Sequence, residues 1–524
     1  MTEAESKDRL QSTQAGDLTG RAMSGLRWSY LGTGVNAVFQ LVFTAVLARL
    51  LDPDAFGLVA MAMVILSFGQ YFSQMGVGRA LVQRDEITDV DIRAAFTSSI
   101  LLGVGFTVLF WFAAPLATLL FPDDQVVPTL RALSLSFLIT GLSITALALL
   151  QRHLRYRAVA LIEMAAYAIG YGPVGIVLAY AGYGPWSLVA AGLSQAALTA
   201  LLANAVCRYA KRPSLDRGSL KKLYSFGSRV SMISILEFLA LNLTPIWIGR
   251  RLGAGALGLF NRAFTLINVP AYYFTASLSR VMYSAMSRVQ DETTKLRTTY
   301  LSMTTVFAAL VIPTCWGAAG ASRQIVLVVL GPSWADAIPI FAILALAAPF
   351  TFLATLSGVM SEISATLNPK MILCVGRLAV LVVLLWALSP FGVVGCTLAN
   401  AVAEVVSYGA YFMLMRTVLD TTYRDLALAQ VGGYAAGVVM LILLGAIGWL
   451  GTVGNLPVLA TLLVQFLVGP LGLAWFTLRG FSGATWAAIC SSLRWPERIQ
   501  KTTRSGRALL WLDAHAASPP TTRT

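Results

Sequence analysis

A few ionisable side chains stand in stretches of this sequence that are otherwise apolar enough to lie in hydrocarbon: Arg27, Arg229 and Arg262 among the cations, Glu163, Glu237 and Glu404 among the acids. A charge in a bilayer core is costly unless paired or hydrated, so such residues face a protein interior or a water-filled cavity. A buried carboxylate that alternates between wet and closed surroundings is a natural carrier of a proton or a sodium ion. Pairing with an arginine on another helix is the competing role for each of these acids. Glu237 shares an apolar stretch with Arg229 about two turns away, too far for a direct pair along one helix. Gln40, Gln70, Gln74, Asn242, Asn261 and Asn400 add amides within apolar stretches, where bonding to a neighbouring helix is the common job. Five cysteines stand singly and there are only two histidines, His153 and His515. Small apolar filler fits these cysteines, and no metal site or cofactor is expected.

The elements that must position these groups are membrane helices. The chain of 524 residues is 57% hydrophobic and 12% charged, with a mean hydropathy of +0.73, whereas a soluble domain carries about 25% charged residues. Hydropathy separates roughly fourteen apolar stretches, each near the 20 residues that cross a 30 Å hydrocarbon core. Their apolar runs are continuous, without the in-out alternation of a barrel strand, so the expected fold is an all-α polytopic membrane protein. The first roughly twenty residues mix acids with Lys7 and Arg9 and lack a cleavable leader pattern, so the first helix is expected to stay attached. With the N-terminus inside, most of the 38 Lys and Arg fall in inner loops and tails, leaving Arg49, Arg131, Arg250, Arg251 and Arg323 outside and Arg229 and Arg262 within spans. That sorting puts both termini in the cytoplasm. It also explains the net charge of +14 by topology and anionic lipid, with no nucleic acid partner.

The chain also spells one passage twice. Ala48-Arg49-Leu50-Leu51-Asp52-Pro53-Asp54-Ala55-Phe56-Gly57-Leu58 returns as Gly249-Arg250-Arg251-Leu252-Gly253-Ala254-Gly255-Ala256-Leu257-Gly258-Leu259, with Arg, Leu, Ala, Gly and Leu in register. Gly25-Leu26-Arg27 matches Gly227-Ser228-Arg229, Gly78-Arg79 matches Ser279-Arg280, and Gln40 matches Asn242. Val127-Pro128 matches Ile338-Pro339, and Gly182-Tyr183-Gly184 matches Pro390-Phe391-Gly392. Two parallel six-helix lobes are therefore expected, 24–207 and 223–417, joined by a basic linker at 208–222 and followed by two further spans over 418–478. Residues 1–23 form a cytoplasmic N-terminal tail, and 479–524 form a basic tail whose Trp486, Trp495 and Trp511 suit the inner-leaflet interface. Prolines inside spans, Pro173, Pro313, Pro349 and Pro470 among them, permit kinks. No phosphate loop is present, and the outward loops are too short for a catalytic ectodomain. Transport is expected, and enzyme activity is not.

Ala48 to Arg84 resembles the first-hairpin signature of the bacterial polysaccharide exporters, the oligosaccharide flippases of the multidrug/oligosaccharidyl-lipid/polysaccharide (MOP) superfamily. Gly182-Tyr183-Gly184-Pro185-Trp186-Ser187-Leu188 is similar to the turn before their sixth span. The resemblance implies a fourteen-helix bundle in the bacterial inner membrane. It further implies movement of an undecaprenyl-diphosphate-linked oligosaccharide from the cytoplasmic to the periplasmic leaflet, by alternating access, for O-antigen, exopolysaccharide or capsule assembly. Membrane lipids and polysaccharide polymerase or assembly proteins are the further partners implied. Under that resemblance Arg27, Arg229 and Arg262 become candidates to hold the diphosphate through charge-assisted bonds, with snorkelling as the equal alternative for the first two. Gln40, Gln70, Gln74, Asn242 and Asn261 become candidates for sugar hydroxyls, and Glu163, Glu237 and Glu404 for ion coupling. Arg79 and Arg280 are topological anchors with a cytoplasmic gate as their second role. A multidrug extruder or a peptidoglycan-precursor flippase of the same superfamily is the alternative; the extruder would want an acidic cavity, whereas the intramembrane charge here leans toward arginine.

Overall fold

The computed structural model describes residues 28, 31–73, 77–83, 87–207, 209, 214, 216, 231–286, 293–364 and 367–480, with the side chains at 71–72, 79, 83, 231–237, 271–293, 367–368 and 474–480 outside the description. Every regular element among the described residues is helical. The chain divides into two compact units, 1–261 and 262–524.

Unit 1 holds α1 (Leu31–Leu50), α2 (Pro53–Ser73), α3 (Val77–Gln83), α4 (Asp89–Ala113), α5 (Val126–Arg152), α6 (Tyr156–Ile169) and α7 (Pro185–Val206). α8 (Ser231–Met286) starts in unit 1 and is broken into two arms at Gly253, whose φ of 86° and ψ of −175° leave the helical region. Unit 2 adds α9 (Thr293–Gly320), α10 (Ser322–Val329), α11 (Ala337–Ile363), α12 (Leu367–Leu388), α13 (Gly392–Val418), α14 (Tyr423–Val453) and α15 (Val458–Gly480). Among the described residues ten helices are long and apolar enough to cross a membrane, with 369–418 counted as one. The described parts of the apolar stretches expected from hydropathy lie largely in helices, with the stretch at 55–82 divided between α2 and α3.

The helix ends follow local chemistry. α4 opens on a capping box: the Asp91 amide donates to Thr88 Oγ1 at 3.2 Å and the Thr88 amide donates to Asp91 Oδ2 at 3.0 Å, which satisfies two otherwise orphaned donors. α14 opens on Thr422, whose hydroxyl accepts from the Asp425 amide at 3.1 Å. Asp425 in turn meets Arg297 at 2.7 Å. α6 does not stop at Pro173. It widens into a π turn over Gly170–Ile176 and resumes as α-helix over Val177–Tyr180, because the wider turn accommodates the missing proline N–H without breaking the span.

The sequence repeat reappears in the backbone. α5 and α11 are both 27 residues long and begin one residue before the matched Val127-Pro128 and Ile338-Pro339. Gly184 (φ 55°, ψ −129°) and Gly392 (φ 71°, ψ −153°) adopt nearly the same conformation. A residue with a Cβ rarely takes it, so the shared glycine at the end of each matched turn is a backbone requirement.

Loop ends in unit 1 sort into two sets. Arg152 Nη1 donates to the Leu81 carbonyl at 3.0 Å and the Ser214 amide to Thr97 Oγ1 at 3.0 Å, joining segments that the charge pattern assigns to one side. Arg250 donates to the Leu119 carbonyl, joining two assigned to the other.

Candidate functional site

The duplicated passage folds onto itself. A Cβ added to Gly57 would fall 1.7 Å from the Ala254 carbonyl oxygen, and one added to Gly258 would fall 1.9 Å from the Pro53 carbonyl oxygen. In the alignment Gly57 is the mate of Gly258 and Pro53 the mate of Ala254, so the contact is self-complementary, as across a two-fold axis. Only glycine lets the two backbones come this close. The Asp54 carboxylate lies 2.9 Å from where a Gly255 Cβ would stand, and these two are also mates. Beside the crossing opens a cavity of about 570 Å³ whose lining includes Asp52, Asp54, Asp123, Gln125, Gly182 and Ala254.

A second feature of unit 1 is the seam between α1 and α6. Leu31, Val38 and Val42 of α1 and Leu161 and Ile169 of α6 are 44–57% exposed and apolar, as lipid-facing stripes must be. At 100° per residue, Asn36, Phe39, Gln40 and Phe43 lie on the opposite side of α1, and Glu163, Tyr167 and Tyr171 on the opposite side of α6. The helices approach closely where Gly32 meets Ala160. Phe39 and Phe43 have ring centroids 5.9 Å apart, Phe43 and Tyr167 6.1 Å, and Tyr167 and Tyr171 stack at 4.6 Å. Glu163 is exposed on that stripe and forms no ion pair among the described residues. Gln40 is half-buried there. The buried Asn36 Oδ1 has no hydrogen-bond partner among the described residues.

The other sequence candidates scatter. Asn242, half-buried on the first arm of α8, donates to the Phe238 carbonyl one turn back at 2.9 Å. Gln70 is exposed near the end of α2. Asn261 and Arg262 are half-buried where the two units divide, and Arg262 stands about 13 Å along its arm from the Gly253 break. Glu404 is buried and pairs with Arg377 of α12, the arrangement weighed as its alternative role. Arg27, Arg229 and Gln74 lie outside the described residues, as do the side chains of Arg79, Glu237 and Arg280. Sequence reasoning overlooked Tyr167, Tyr171, Phe43 and Asn36. Their signal was the three- and four-residue spacing from Glu163 and from Gln40, which a helical wheel would have exposed.

The family model described as polysaccharide biosynthesis protein matches residues 46–339, more than half of the chain. The chain belongs to this polysaccharide biosynthesis family. The chain is 25% identical over 416 residues to the lipopolysaccharide biosynthesis protein WzxC of Escherichia coli strain K12, covering 78% of this chain and 84% of that one. It is 27% identical over 334 residues to the teichuronic acid biosynthesis protein TuaB of Bacillus subtilis strain 168, covering 63% and 68%. It is 28% identical over 340 residues to the succinoglycan biosynthesis transport protein ExoT of Rhizobium meliloti strain 1021, covering 63% and 68%. Among solved structures, the lipid II flippase MurJ in an inward closed conformation superposes with a TM-score of 0.68 at 14% identity, covering 86% of this chain and 97% of that one. An inward-facing multidrug transporter of the MATE family and MOP superfamily gives 0.52 at 18% identity, over 75% and 96%. At such identities these two establish the fold of this polysaccharide biosynthesis protein, an all-helical polytopic membrane fold, and not its cargo.

Proposed function

We propose that this polysaccharide biosynthesis protein is a flippase that carries a lipid-linked oligosaccharide across the bacterial inner membrane by alternating access. The observation that carries the reading is the crossing of the duplicated passage at Gly57 and Gly258, in a chain whose family is polysaccharide biosynthesis. Two repeat-related backbones that meet at glycines can part and rejoin. That is what a gate at one end of a transport path requires.

The cargo is a strongly anionic diphosphate bearing a bulky polar glycan, with its lipid tail left in the bilayer. Arg27, Arg229 and Arg262 are the proposed diphosphate ligands, since a guanidinium offers fixed paired donors to phosphate oxygens. Gln40, Gln70, Gln74, Asn242 and Asn261 are the proposed hydroxyl partners. Glu163 and Glu237 are the proposed ion-coupling groups, with Glu404 engaged by Arg377 in the state described. Arg79 and Arg280 anchor the cytoplasmic ends and close them. Lobes over 24–207 and 223–417 move against each other with both termini cytoplasmic.

Deleting the gene in its host and quantifying lipid-linked oligosaccharide by mass spectrometry tests this reading. Accumulated lipid-linked repeat units with loss of surface polymer, restored by the wild-type gene, are the expected result. Unchanged lipid intermediates with increased sensitivity to cationic drugs would instead assign the chain to drug extrusion.

A further inference from the structure

We infer that the seam between α1 and α6 is the wall on which the sugar part of the cargo rests, with Tyr167 and Tyr171 as its aromatic platform; the inference builds on the flippase reading and gives it a binding surface. A sugar ring carries apolar C–H faces bordered by hydroxyl groups. The complementary protein surface is an aromatic face, electron-rich at its centre, bordered by hydrogen-bonding side chains.

The stripe has that composition. Phe39, Phe43, Tyr167 and Tyr171 form an unbroken run of rings, each within 6.1 Å of the next. Glu163, an exposed residue, stands one turn before Tyr167, and its carboxylate is a strong acceptor for one or two neighbouring hydroxyls. Gln40 and Asn36, one turn apart on α1, face the same seam. Asn36 Oδ1 is withdrawn from solvent without a donor among the described residues, and a buried acceptor left in that condition is costly until a ligand hydroxyl or a water donates to it.

The stripe does not face lipid. Exposed apolar residues on the opposite sides of both helices already occupy the lipid boundary, and an amide or carboxylate at this depth would be expelled from hydrocarbon. The π turn at Gly170–Ile176 begins beside Tyr171, and π turns of this kind are found most often where a helix does something besides span. It lets Gly170 approach the backbone of Ala191 and Gln195 in α7, and so fixes the platform against its neighbour. The matched turns at Gly184 and Gly392 set the register of the second repeat: counted back from them, the mates of Glu163, Tyr167 and Tyr171 in α12 are Met371, Val375 and Ala379. The wall therefore belongs to the first repeat alone, and the sugar is held off the two-fold axis.

The test compares two lipids on the purified full-length protein. One is the lipid-linked oligosaccharide extracted from the deletion strain, and the other is bare undecaprenyl diphosphate. Wild-type protein should bind the glycan-bearing lipid more tightly than the bare one. Tyr167→Ala with Tyr171→Ala should weaken the glycan-bearing lipid by about tenfold, the order of one lost stacking contact, and leave the bare lipid unchanged within about twofold. Tyr167→Phe with Tyr171→Phe keeps the rings and should retain the preference, which guards against a variant that simply fails to fold. Equal loss for both lipids, or no loss for either, overturns the wall assignment while leaving the flippase reading standing. A wild-type protein that binds the two lipids equally also overturns the wall assignment, and one that binds neither overturns the flippase reading itself.

Discussion

In unit 2 the buried carboxylate of Glu404 meets the Arg377 guanidinium across α12 and α13, and nearby polar groups also satisfy one another. Tyr408 donates to Gln430 Oε1 at 2.5 Å, and the Tyr300 and Ser357 hydroxyls meet at 2.9 Å, all of them buried. In unit 1 Glu163 stands exposed on α6 with two tyrosines in line, and Asn36 holds a buried oxygen without a donor among the described residues. The same kinds of residue in the same kind of span thus serve two ends. The Glu404–Arg377 pair ties α12 to α13 in unit 2, whereas Glu163 in unit 1 forms no ion pair among the described residues and stands in line with the aromatic run. Intramembrane charge alone does not identify a ligand site; its state of pairing does.

Removing one partner of the closed pair should do the most harm. Arg377→Ala strands a buried carboxylate and is expected to cost about 3–5 kcal/mol, seen as a lowered thermal unfolding temperature in detergent. Arg377→Met with Glu404→Gln should recover most of that loss. Glu163→Gln is expected to change stability by no more than about 0.5 kcal/mol, and a large destabilisation there would break the comparison. Next in size, Gly57→Ala and Gly258→Ala should each destabilise the crossing by about 1–3 kcal/mol through backbone overlap. Both should depress polysaccharide export alike, because the two glycines are mates; a variant harmful at one position and harmless at the other would remove the two-fold argument. Tyr408→Phe leaves Gln430 Oε1 without its donor and should cost about 1–2 kcal/mol while leaving glycan preference intact. The smallest effects are expected at the helix caps, where Thr88→Ala and Thr422→Ala should each cost about 1 kcal/mol in unit 1 and unit 2 respectively.

Much of this arrangement was legible in the sequence. The apolar runs announced the helices, since length and continuity in a bilayer leave few alternatives. The duplication was legible, because Arg, Leu, Ala and Gly recurred in register where apolar composition alone would not repeat them; that its two copies meet at Gly57 and Gly258 was not. The backbone of α5 and α11 and the positive φ of Gly184 and Gly392 carry the same duplication. What could not be read was which polar groups find each other. Glu404 and Arg377 are 27 positions apart on separate helices, and nothing in hydropathy couples them. Glu163 looked equivalent to Glu404 until their surroundings separated them. The π turn was hidden as well: Pro173 signalled a kink, and the span instead absorbed the proline by widening one turn.

The measurement that tests the central claim most directly uses the full-length protein in sealed proteoliposomes loaded with the lipid-linked oligosaccharide from the deletion strain. An impermeant periodate reagent reports how fast glycan becomes accessible on the outer leaflet. Glycan exposure well above that of protein-free liposomes, lost when Gly57→Leu disrupts the crossing, is the predicted result. Exposure no faster than in protein-free liposomes, from protein shown to be folded and inserted, would contradict it.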